Sequence, residues 1–162
     1  SLLALDPAEA DPASAFNGAA KSFLNAVGAS SGPLYATAFM RAGAAVKGKA
    51  ELDRDAMVEA FQAMAKGIQD RGKAERGDKT MVDAWLPASE AIGEAAANGA
   101  TLGQCLDAAA KAAGEGAEAT KAMLAAKGRA SRLGERSLGH MDPGAASTAL
   151  IVRTMADELA KA

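Results

Sequence analysis

The sequence predicts an all-α fold, arranged as an up-and-down antiparallel bundle or barrel, and three observations point there. Hydrophobic residues make up 49% of the 162, but alanine supplies much of that fraction, and alanine has the highest intrinsic helix propensity. Aromatic residues amount to 4 Phe, 1 Trp and 1 Tyr. β-branched residues are also scarce, and these are the types that sheets favour. Finally, apolar residues recur at spacings of three and four between helix-start signals. The length suits one domain with a single core, residues 1–162.

Six helices follow in order. The first, α1, is predicted over 12–26, with Ala15, Phe16, Ala19, Phe23 and Ala26 on one side. The second, α2, begins near Gly32-Pro33 and runs to 47. The third, α3, covers 54–71, where Met57, Phe61, Met64 and Ile68 share one face and Asp53 stands as N-cap. The fourth, α4, is predicted over 79–97 with Met81, Trp85, Ala88 and Ile92 inward, and Pro87 inside it is expected to kink it. The fifth, α5, opens on the capping box Thr101-Leu102-Gly103-Gln104 and is carried to 127. The last, α6, starts at Asp142-Pro143-Gly144, an N-cap aspartate followed by proline at the first helical position. It carries Ala149, Val152, Ala156 and Leu159.

The connections alternate in character. Those after α2 and α4 are short, whereas residues 27–33, 71–80 and 128–143 are rich in glycine and polar groups. In an up-and-down bundle α2, α4 and α6 start at the same end. The three glycine-rich loops are therefore expected to meet at one mouth. Helix N-termini offer unpaired N–H groups and partial positive charge, which favour anions such as phosphate. The last loop adds Lys127, Arg129, Arg132 and Arg136 against Glu135, and arginine matches phosphate with its planar fork.

Other chemistries fit poorly. Gly72 to Thr80 has the look of a P-loop, but Asp78 interrupts the Gly-Lys-Thr order and no strand precedes it. His140 is the only histidine and Cys105 the only cysteine, so a histidine-cluster metal site is excluded and Cys105 reads as a small buried hydrophobe. Ser131, His140 and Asp142 lack the setting of a nucleophile elbow. A formal charge of −2 argues against a nucleic-acid partner. No apolar run is long enough to span a membrane, and no signal-peptide pattern is present; a cytoplasmic protein is expected.

Three stretches together carry a family resemblance: Gly28-Ala29-Ser30-Ser31-Gly32-Pro33-Leu34-Tyr35, residues 71–81 from Arg71 to Met81, and residues 127–145 from Lys127 to Ala145. In order and spacing they resemble the nucleotide-binding L subunit, or C-terminal domain, of dihydroxyacetone kinases. The resemblance implies an antiparallel barrel of eight helices with ADP or ATP at one end. About six of those helices are read here, so the two at the start are expected to be missing.

The family's N-terminal loop of the type Gly-Asp-x-Asp-His-Gly, whose aspartates hold Mg2+ ions, has no counterpart in the sequence. Asp6, Glu9 and Asp11 have the wrong spacing and receive no metal role. By resemblance, Ser30 and Ser31 contact phosphate, Gly72 and Met81 border the adenine pocket, and Thr80 is a neighbour. Arg129 contacts nucleotide, and Asp142, Pro143 and Gly144 close over it.

The resemblance further implies phosphoryl transfer to a small ketose held covalently by a histidine of a separate K subunit, so no catalytic residue is assigned here and His140 does not take that role. A phosphotransferase-system phosphocarrier is a further implied partner. A chain beginning at Ser1 is expected to bind nucleotide weakly and to be inactive without its partner and metal loop. The alternatives are a non-catalytic, nucleotide-dependent regulatory binding module and the nucleotide domain of a fatty-acid kinase.

Overall fold

The computed structural model describes residues 11–28 and 31–159, and every described element is helical. All six predicted helices are present. The chain packs as two compact units that divide between Gly72 and Lys73.

The first unit holds α1 (Pro12–Ala26), α2 (Ser31–Ala45) and α3 (Arg54–Gly72). Asp11 caps α1, accepting from the Ser14 backbone N–H at 2.9 Å and the Ser14 hydroxyl at 2.9 Å. The backbone bond, then the hydroxyl bond, holds the Asp11 carboxyl below its ordinary value. Asp53 caps α3 through the Ala56 N–H at 2.7 Å. The helices pack in sequence order, α1 on α2 and α2 on α3. The face read from periodicity is the core: Met57, Phe61, Met64 and Ile68 are all fully buried. Phe23 of α1 sits with its ring centroid 5.2 Å from both Tyr35 and Phe39 of α2. Ala26, expected on the inner side of α1, is exposed because the helix ends there.

The second unit holds α4 (Val82–Ala97), α5 (Leu102–Ala119) and α6 (Pro143–Leu159), with short 3-10 segments at Thr120–Ala122 and Arg129–Ser137. Trp85, Ala88 and Ile92 of α4 are fully buried, as are Cys105, Leu106, Ala109 and Ala113 of α5 and Val152 of α6. Thr101 and Gln104 form the complete capping box. Helix α4 runs through Pro87. A β-carbon added at Gly116 of α5 would collide with the carbonyl oxygen of Asp83 in α4, so these two helices touch backbone to side-chain position. Alanine and glycine at such contacts make the helices thin enough to approach closely.

Two boundaries differ from the sequence reading by more than two residues. Helix α4 begins at residue 82 rather than 79 because Lys79 adopts a left-handed φ of 59°, a conformation that interrupts a right-handed helix. Helix α5 ends at 119 rather than 127. There the Thr120 hydroxyl donates back to the Ala117 carbonyl at 2.6 Å, and the next carbonyls turn to a different partner. The Arg129–Ser137 segment, expected as plain loop, winds as 3-10 turns broken at Gly134, where φ is 55°.

Candidate functional site

The loop before α4 is organised by its own polar groups. Asp83, in the first turn of α4 and 2% exposed, reaches back with both carboxylate oxygens. One accepts from the Gly77 N–H at 2.6 Å and the other from the Thr80 N–H at 2.9 Å. The Thr80 hydroxyl accepts from the Val82 N–H at 3.1 Å. Asp78 accepts from the Glu75 N–H at 2.9 Å, and Arg76 pairs with Glu90 of α4 at 2.7 and 2.8 Å. The Val82 bond satisfies one of the orphan donors that a helix start leaves, and the others fix the loop ahead of it.

Lys79 then joins this loop to the one before α6. Its side chain is 3% exposed, and its ammonium donates to four backbone carbonyls. They belong to Thr120 at 2.7 Å, Met123 at 3.2 Å, Ser137 at 2.6 Å and His140 at 2.7 Å. An ammonium has three hydrogens, so the longest contact shares one. The backbone adds a further tie, from the Ala126 N–H to the Asp78 carbonyl at 3.1 Å. Two of the three glycine-rich loops predicted to meet are thus brought together in the second unit; the third belongs to the first unit.

The start of α6 lies on this same framework. The Asp142 N–H donates to the buried Thr120 hydroxyl at 2.9 Å, while its carboxylate caps α6 by accepting from the Ala145 N–H at 2.9 Å. Burial pushes the Asp142 carboxyl above its ordinary value. The bonds from the Ala145 and Gly144 N–H groups oppose that, the Asp83 charge adds to it, and the Lys79 charge opposes it. Gly144 has no room for a side chain. A β-carbon there would sit 2.9 Å from the Asp142 Oδ2 and 3.3 Å from the Met81 nitrogen. Met81 itself is buried, and its carbonyl accepts the first backbone bonds of α4.

Among the residues proposed from sequence, Thr80, Met81, Asp142, Pro143 and Gly144 are gathered at these two helix starts. Arg129 opens the exposed 3-10 segment. Lys127, Arg129, Arg132 and Arg136 are all exposed, and none has an ion-pair partner among the described residues. Ser31, half-buried, begins α2, and Gly72 ends α3, both in the first unit. Ser30 lies outside the described residues.

Sequence reasoning missed Lys79, Asp83, Thr120 and Ser137. Lys79 entered only as part of a failed P-loop. Its acceptors are backbone carbonyls 41 to 61 residues away, and carbonyl acceptors leave no trace in residue type. Asp83, four residues after Lys79 in a helix-start region, carried a visible signal as a first-turn acidic residue.

No three His, Cys, Asp or Glu side chains among the described residues gather where they could hold a metal ion. Asp83 and Asp142 instead give their oxygens to backbone N–H groups. These residues therefore do not fit a magnesium site by themselves. No helix among the described residues is long and apolar enough to cross a membrane.

The sequence matches the DAK2 domain family over residues 2–157. It is 42% identical over 135 residues to the PEP-dependent dihydroxyacetone kinase ADP-binding subunit of Escherichia coli, covering 83% of this chain and 64% of that one. It is also 42% identical over 139 residues to the ADP-binding subunit of PEP-dependent dihydroxyacetone kinase 2 of Listeria innocua, covering 86% of this chain and 64% of the relative. The fold is similar to the crystal structure of the dihydroxyacetone kinase of C. freundii in its native form. The TM-score is 0.67 and the identity 30%, over 91% of this chain and 24% of that one. The chain thus spans just under two thirds of the first two relatives' length. With the helical architecture and the loop signatures in agreement, the chain belongs to the DAK2 domain family.

Proposed function

We propose that this chain binds ADP or ATP as the nucleotide-binding part of a dihydroxyacetone-type kinase. One observation carries the reading. The loops before α4 and α6 are locked together beside the α6 N-terminus, and the locked segment bears four exposed cations without ion-pair partners among the described residues. Exposed guanidinium forks are groups that bind phosphate, and a helix start adds partial positive charge beside them. The names of the Escherichia coli and Listeria innocua relatives, both ADP-binding subunits, support a nucleoside diphosphate over other phosphates.

In this reading Arg129 meets the phosphates, while Asp142, Pro143 and Gly144 close over the nucleotide and Thr80 and Met81 border it. Ser30, Ser31 and Gly72 are proposed nucleotide contacts on the strength of the family resemblance. The chain's part in catalysis is to hold the donor and its charge, because phosphoryl transfer depends on positioning and electrostatic stabilisation. The acceptor is a small ketose carried by a separate K subunit. Magnesium ligands are proposed to come from sequence outside the described residues. The relatives' dependence on PEP favours rephosphorylation of bound ADP by a phosphocarrier partner in the cytoplasm.

Thermal melting with ADP, adenosine or inorganic phosphate tests this reading. A ligand at 100 times its Kd stabilises by about 2.7 kcal/mol. ADP is expected to raise the midpoint more than either fragment. An ADP effect no larger than that of adenosine would remove the phosphate-binding role.

A further inference from the structure

The four carbonyls around Lys79 fall into two pairs. Thr120 and Met123 stand where the chain leaves α5, and Ser137 and His140 stand where it returns towards α6. Between them residues 124–136 make an excursion whose exposed residues include Leu124 and Leu133 as well as the four cations that have no ion-pair partner among the described residues. Other bonds help to close its neck: the Asp142 N–H donates to the Thr120 hydroxyl at 2.9 Å, and the Ala126 N–H ties the excursion to the Asp78 carbonyl at 3.1 Å. The Ser137 hydroxyl accepts from the Ala125 N–H at 3.1 Å, and the Gly139 N–H donates to the Lys121 carbonyl at 2.8 Å. Lys79 thus joins both ends of the excursion at one point, from a residue on another loop.

No carboxylate among the described residues bonds directly to the ammonium, and Asp83 is occupied by backbone N–H groups. Four carbonyl oxygens at 2.6 to 3.2 Å make the donor set of a weakly hydrated monovalent cation such as ammonium or potassium. Such a cage repels itself when empty, since four oxygen dipoles then converge on an uncompensated point. The left-handed φ of 59° at Lys79 is a further cost for a residue with a β-carbon. The backbone is bent to deliver this one side chain to the cage.

We propose that Lys79 is a tethered structural cation, a positioning residue that closes the neck of the 124–136 excursion and so presents its arginines to an anionic ligand. This rests on the nucleotide reading only in naming that ligand as ADP; the closure itself does not. Opening the neck lowers the population of the binding-competent arrangement, and apparent affinity falls by the same fraction.

The test is chemical rescue of the full chain carrying Lys79→Gly, a substitution that suits the left-handed backbone and empties the cage. n-Butylammonium restores the four carbons and the ammonium that the substitution removes. Tetraethylammonium at equal ionic strength is too large to enter. Two readings are taken, the rate of tryptic cleavage after Lys127, Arg129, Arg132 and Arg136, and the ADP affinity. With competent arrangements reduced to about a tenth, cleavage is expected to rise and ADP affinity to fall about tenfold. Butylammonium is expected to reverse both, and tetraethylammonium neither. If Lys79→Gly is unfolded outright, recovery of its cooperative melt by butylammonium alone carries the same meaning. Lys79→Met, which keeps most of the side-chain volume without a charge, should be loosened and not rescued.

Wild-type cleavage rates in Lys79→Gly, or no response to butylammonium in cleavage or melting, overturn the clamp. Loosening without loss of ADP affinity, in a chain whose wild type binds ADP, overturns the positioning role. A wild-type chain that binds no ADP overturns the nucleotide reading instead, while the cleavage and melting results still decide the clamp.

Discussion

Asp142 is at once a helix cap and a partly buried charge, and the two roles pull its proton affinity in opposite directions. Burial wins, so its carboxyl is raised in the folded protein. A carboxyl raised on folding costs stability when ionised. Its contribution is most favourable below 3.8 and is lost as pH rises from there through the raised folded value. Asp142→Asn keeps an acceptor for the Ala145 N–H and removes the charge. Its stability relative to wild type is therefore expected to improve as pH rises through that window, measured by urea unfolding at several pH values. Asp142→Ala loses the cap and is expected to cost about 1 kcal/mol. Gly144→Ala should cost about 1–3 kcal/mol in the same assay, since its β-carbon has to displace Asp142 or the Met81 backbone. The caps at Asp53, Thr101 and Asp142 were legible because capping depends on residue type and spacing. Lys79 was not, because its partners are carbonyls that every residue has.

At the scale of elements, the helices were readable and two of their ends were not. The four-residue face of α3 is fully buried as its periodicity required. The overrun of α5 to 127 has a definite origin: Lys121 to Lys127 is alanine-rich, so local propensity favours helix. Tertiary bonds from Lys79 to the Thr120 and Met123 carbonyls outweigh that propensity. Close helix packing yields a paired prediction within α5. Gly114 has open space around its missing β-carbon, whereas Gly116 meets the Asp83 carbonyl. Gly114→Ala is expected to stabilise by up to about 1 kcal/mol through helix propensity. Gly116→Ala, two residues away, should destabilise by about 1–3 kcal/mol despite the same propensity gain. Thermal melts of the two variants check it, and equal effects would contradict the close α4–α5 contact.

For the whole molecule, the formal charge of −2 conceals a local excess of cations on the excursion before α6. The expectation that the helix starts favour an anion could be argued from sequence alone. The adenine, the ketose and the partner subunit come from family likeness, since no spacing of residues encodes them. Of the three loops predicted to meet, those before α4 and α6 do so, through bonds that only the folded chain displays. The proposed nucleotide role requires that locked segment to recognise the phosphates of an adenine nucleotide. Calorimetric titration of ADP, with magnesium, into wild type and Arg129→Ala tests it most directly. Saturable binding that weakens about tenfold in Arg129→Ala, the loss of one charge-assisted contact worth about 1.4 kcal/mol, is the predicted result. No binding by wild type, or equal binding by both proteins, would contradict it.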